Sequence, residues 1–258
     1  MISRVSARTT LVVAMALGVV TFAPPAVAGD VPAFTLNWTT NDGSVVYDWN
    51  HFGTLYELGM HQVKGSNQDW IGWRYQGNVV ELGWELKWNC VFNHETGGAG
   101  AFVTANIVVT NNDAGIQKFS LLMTLPTGPL GSLLERGSVV GTVTDLTQDD
   151  ATVSAPADGQ IYAPMIDGVP EAAGFLMIDP FSQSAGGSLA SSPVGPAAFG
   201  LPVPIATSVE SSIGIMLNFN LTPGDTASFT SIFEVFIPAP SGLPVLAAIG
   251  FLGGRRRR

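Results

Sequence analysis

Alternation is the strongest signal in this chain. Val80, Leu82, Trp84, Leu86, Trp88, Cys90 and Phe92 share one parity, while Glu81, Gly83, Glu85, Lys87 and Asn89 take the other. Side chains point to opposite faces along a strand, so the run predicts one long half-buried strand from Val79 to Phe92. Ala101, Val103, Ala105, Ile107 and Val109 form a second set. Phe119, Leu121, Met123 and Leu125 form a third, opposite Lys118, Ser120 and Thr124. Near the end, Ile213, Ile215, Leu217, Phe219 and Leu221 lead into Thr222-Pro223-Gly224-Asp225, and Phe229, Phe233, Val235 and Ile237 follow. Proline presets φ at the first central turn position and glycine accepts positive φ at the second, so a hairpin across a type II turn is expected.

Shorter runs predict strands near 34–39, 55–63, 69–76, 138–146, 151–155, 160–166 and 174–178. No stretch between the chain ends has a convincing helical period. Pro180, Pro193, Pro196, Pro202 and Pro204 lie among many Ser, Gly and Ala residues, so 180–206 is expected to be a long surface loop. The pattern as a whole predicts one all-β domain over residues 29–237, an antiparallel β-sandwich or jelly-roll-like fold.

The two ends read differently. Arg4 and Arg8 precede an apolar run from Leu11 to Phe22, then Pro24-Pro25 and the small–x–small triplet Ala26-Val27-Ala28. These are the zones of a secretory signal peptide over 1–28, which would be handled by the export machinery and signal peptidase, with cleavage before Gly29. At the other end, Pro238-Ala239-Pro240 precedes an uncharged stretch from Gly242 to Gly254 and the cluster Arg255, Arg256, Arg257 and Arg258. Thirteen residues of helix would span about 20 Å against about 30 Å of bilayer core, so this segment is a marginal membrane stop. The arginines would hold its end on the cytoplasmic side. Residues 238–258 resemble the PEP-CTERM sorting tail of bacterial exported proteins, with Ala239 standing where that family usually has Glu. The resemblance implies processing by an exosortase-like membrane protease and delivery to the cell surface or to an exopolysaccharide matrix.

Charge narrows the partners. The chain carries 11 basic and 20 acidic residues. Six of the basic ones lie in the end segments, and none of the acidic ones does. The intervening domain therefore sets five basic residues against 20 acidic ones, a net charge of −15. Such a domain has no electrostatic footprint for nucleic acid. Cys90 is the lone cysteine, which excludes an intramolecular disulfide.

Candidate chemistry is sparse. Trp84 and Trp88 share parity with aliphatic residues and are expected in the core, with Cys90 as a packing thiol beside them. Trp49, flanked by Asp48, Asn50 and His51, is the candidate for an exposed glycan-stacking ring. Glu81 and Glu85 on one strand would stand about 13 Å apart, too far for a glycosidase pair. His51, His61 and His94 show no metal-ligand spacing. Asp145, Asp149 and Asp150 cluster near an expected turn and are weak candidates for Ca²⁺, which prefers carboxylate oxygens. No cofactor is expected. The leading expectation is a non-enzymatic exported surface or matrix protein. A glycan-binding module comes next, and a secreted hydrolase after it.

Overall fold

A computed structural model describes residues 32–40, 43–48, 54–62, 69–95, 100–187, 189–200 and 205–236. The initial segment, Trp49, His51, Pro238, Ala239, Pro240 and the arginine cluster lie outside the described residues.

The strands are β1 (Ala33–Thr40), β2 (Gly43–Asp48), β3 (Thr54–Gln62), β4 (Asp69–Val80), β5 (Trp84–Glu95), β6 (Gly100–Asn111), β7 (Gln117–Pro126), β8 (Gly131–Thr144), β9 (Ala151–Ser154), β10 (Gln160–Ile166), β11 (Val169–Pro170), β12 (Leu176–Ile178), β13 (Ser182–Ala185), β14 (Ser191–Phe199), β15 (Ile205–Val209), β16 (Ser212–Leu221) and β17 (Thr226–Phe236). Among the described residues they form two sheets. The nine-stranded first sheet runs β11-β10-β16-β7-β1-β2, with β9, β12 and β13 attached. The eight-stranded second sheet runs β14-β8-β17-β6-β5-β4-β3, with β15 attached.

The pairing follows one rule. β6 pairs with β17, β7 with β16, β8 with β14 and β9 with β13, every pair antiparallel. An outgoing chain and a returning chain thus form one long ribbon. The ribbon crosses between sheets at each step, leaving β14-β8-β17-β6 in one sheet and β13-β9-β16-β7 in the other. This winding is the jelly-roll form of the all-β sandwich. β1 and β2 extend the first sheet beyond β7, and β5, β4 and β3 extend the second beyond β6.

The core lies between the sheets and is built by the alternating sets. Trp84, Leu86, Trp88, Cys90 and Phe92 are buried from β5, and Phe119, Leu121, Met123 and Leu125 from β7. Phe219 and Phe229 meet across the sandwich with ring centroids 4.9 Å apart. Gly77 stands opposite Trp88 in the register, and a Cβ there would collide with the indole ring. Burial pushes the Cys90 thiol far above its ordinary value, as a packing thiol requires.

Three sequence expectations need correction. The strand expected from Val79 to Phe92 is broken. β4 ends at Val80, and the Glu81 amide donates to the Trp84 carbonyl at 2.9 Å to close a tight turn. Val80 is 62% exposed and Leu82 is fully exposed, so the shared parity joins two strands that face each other across a hairpin. Glu81 therefore lies in that turn and Glu85 beyond it on β5, and the spacing along a single strand does not apply to them.

The expected hairpin of β16 and β17 is instead a crossing between sheets, because each strand pairs within its own sheet. Asn111 draws the turn across. Its backbone N–H donates to the Asp225 carbonyl at 2.9 Å, and its carbonyl accepts from Gly224 N–H at 2.8 Å. The Asn111 side chain donates to the carbonyls of Leu221 and Thr222 at 2.9 and 3.1 Å. Gly224 does adopt positive φ, at 73°.

The proline-rich stretch is not wholly a loop. It contains β13 and β14, and β14 lies at the edge of the second sheet. An edge strand tolerates prolines that lack a ladder donor. The register shifts between Val194 and Ala197, around Pro196.

Candidate functional site

Carboxylates gather where loops meet at one end of the sandwich. β8 runs out at Thr144, and the 145–150 loop turns back into β9. Asp145 is fully buried beneath that loop. Its Oδ1 accepts from the backbone N–H groups of Thr147 at 2.9 Å and Gln148 at 2.7 Å, and its Oδ2 from Asp150 N–H at 3.4 Å. Asp225 arrives from the crossing turn and is also fully buried. It accepts from the Thr222 hydroxyl at 2.6 Å and from Leu146 N–H at 3.3 Å. Exposed Asp149 accepts from the Thr147 hydroxyl.

Ligand-capable oxygens of Asp145, Asp149 and Asp225 lie within 4.8 Å of one another. Two of the three weak Ca²⁺ candidates are thus brought together, and Asp225 takes the place expected for Asp150. The sequence shows Asp225 only as the end of a turn. Nothing in residue spacing links it to a loop some 75 positions earlier.

The electrostatics differ within the trio. At Asp145, burial pushes the carboxyl up, but the amides of Gln148, Thr147, Asp150 and Asp149 outweigh it and hold the group below its ordinary value. At Asp225, burial pushes the carboxyl up. The Thr222 and Leu146 donors oppose that shift, while the negative charges of Asp145 and Asp149 add to it. Three carboxylates could offer hard oxygen ligands to a divalent cation. What their hydrogen bonds accomplish is to fasten the 145–150 loop to the 222–225 turn.

A second acidic group lies within the sandwich. Glu135 of β8 is 1% exposed, and its Oε2 has no hydrogen-bond partner among the described residues. Burial pushes it up to about 7, and the charge of Glu171 adds to the shift. Tyr162 is affected in turn: burial and the Glu135 charge raise its phenol well above the ordinary value. The Tyr162 hydroxyl donates to the Ile232 carbonyl at 2.9 Å. A perturbed carboxyl is a common mark of catalytic sites. Here the carboxyl is enclosed among core residues.

The remaining candidates stay apart. Trp84 and Trp88 are core residues. Trp73 is partly buried against the core, with its ring centroid 5.5 Å from that of His94. His61 pairs by register with Trp70 on the β3–β4 ladder. No protein-family model, no curated protein and no solved structure matches the chain.

Proposed function

We propose that this is a non-enzymatic exported protein of the cell surface or of an exopolysaccharide-containing extracellular matrix. Its precursor would be held briefly at the inner membrane by residues 238–258 and trimmed by an exosortase-like protease. The observation that carries the reading is the tail sequence: Pro238-Ala239-Pro240, an uncharged stretch and four terminal arginines. The last described strand ends at Phe236, two residues before Pro238, so trimming there would remove none of the described strands. The acidic domain suits an exported role, because its charge favours solubility.

The test is made in the native host. Mass spectrometry of the exported protein should find Gly29 at the N-terminus and a C-terminus near Pro238. Replacing Arg255–Arg258 by Ser should impair retention of the precursor in the membrane and lower the trimmed fraction. Unchanged trimming and delivery in that variant would remove the support for a sorting tail.

A further inference from the structure

The outward face of the second sheet carries an ordered grid of short polar side chains. One register row joins Glu85, Thr110, Thr226, Thr144 and Ser191. The next joins Lys87, Val108, Ser228 and Thr142, and the third Asn89, Asn106, Thr230 and Val140. These residues are exposed or half-buried. Hydroxyls bridge neighbouring strands: Thr110 to Thr226, Thr142 to Ser228 and Thr144 to Ser191, each at 2.8 Å. The Thr230 hydroxyl donates to the Asn106 side-chain oxygen at 2.8 Å. That bond fixes the amide by its oxygen and leaves two N–H donors for a ligand. The face is not flat. A trough of 330 Å³ opens over β5, β6 and β17, with Lys87, Asn89, Asn106, Ser228 and Thr230 among its lining residues.

Charge sets this face apart from the rest of the molecule. Lys87 and Glu85 pair at 2.8 Å, so the three rows are neutral on a chain of net charge −9. An anionic polymer would gain nothing here and would be repelled by the surrounding protein. Val108 and Val140 interrupt the grid singly, and Val80 and Pro193 stand at its opposite ends beside Glu85 and Thr142, so the apolar surface is scattered and too small for the core of a protein interface. The complementary ligand is uncharged, extended and rich in hydroxyls. We infer that the trough around Asn106 and Thr230 is a binding subsite for a neutral polysaccharide chain lying across β5, β6, β17 and β8. The bridged hydroxyls are already ordered, so little side-chain freedom is lost on binding. The inference rests on the matrix reading above only for the presence of such a polymer near the protein.

The test is affinity electrophoresis of the full chain through gels containing dextran, laminarin or hydroxyethyl cellulose, with alginate as the anionic control. At least one neutral polymer should retard the protein. Asn106→Ala and Ser228→Arg should each raise the apparent Kd about tenfold or more, through lost hydrogen bonds and a filled trough respectively. Both substitutions are on the surface and should keep Tm within about 2 °C. No retardation by any neutral polymer, retardation by alginate alone, or retardation indifferent to both substitutions would overturn the inference. So would a sedimentation result showing that Ser228→Arg acts by breaking a dimer. Matrix fractionation in the host separates the two proposals. A protein found in the matrix that ignores neutral polymers keeps the first and loses the second. One that binds them but is never exported does the reverse.

Discussion

Glu135 shows how a single side chain can tie the domain's stability to pH. Its carboxyl titrates at about 7 in the folded protein against 4.5 for an ordinary Glu, so folding favours the protonated form. The stability associated with that proton is fully present below about pH 4.5 and is lost as pH rises to about 7. The loss is on the order of 2 kcal/mol, allowing for partial solvent screening. Glu135→Gln should flatten the dependence of Tm on pH across this window and raise Tm at pH 8. Urea titrations of both proteins from pH 4 to pH 8 check it, and parallel curves would contradict it. The sequence shows Glu135 only as a charged residue beside Leu134 and Arg136. Its burial follows from β8 being covered by the facing sheet, which periodicity does not reveal. Trp84, Trp88 and Cys90 were legible because their parity agrees with that of apolar neighbours, and that agreement survives even where the strand itself breaks.

At the scale of elements, the strands with clear alternation were legible, short strands such as β2, β13 and β15 were not, and strand partners were not. The residues that alternate within β5, β6, β7 and β16 are those that enter the core. Period two, however, says only which residues share a face. It passes unchanged through the turn at Glu81–Gly83, and it is identical whether β16 and β17 lie in one sheet or two. The partners were decided by side chains such as Asn111, whose bonds reach across 110 positions. The edge strand β14 was hidden for another reason: its prolines signal loop wherever a strand needs two neighbours, and β14 has one. The broken strand makes a sharp prediction. Leu82→Ser should change stability by no more than about 0.5 kcal/mol, because Leu82 is solvent-exposed. Trp84→Ala, two positions on, should cost about 3–5 kcal/mol through lost burial and the cavity left behind. Thermal melts of the two variants decide between a turn and a continuous strand. Equal losses would restore the continuous strand.

For the molecule as a whole, the all-β class followed from the dominance of alternation and the absence of helical periods. The ribbon topology did not, because it depends on pairs whose members are far apart in sequence. Its consequence for stability is uneven. β17 stands between β6 and β8, paired to both along nearly its full length. A chain ending at Asp225 would leave two long strand edges open and the Phe229 and Phe233 sites in the core empty. It should show no cooperative melt and should be digested rapidly in pulse proteolysis, whereas a chain ending at Phe236 should melt as the longer protein does.

The same placement of β17 governs timing. A polypeptide emerges from its ribosome, or threads through a membrane pore, from the N-terminus onward. Here the strand that completes the second sheet is the last of all those described. Until Phe236 has emerged, β6 and β8 wait without their shared neighbour, so this domain cannot close piecemeal as it is delivered. The second sheet is complete only when its last strand arrives.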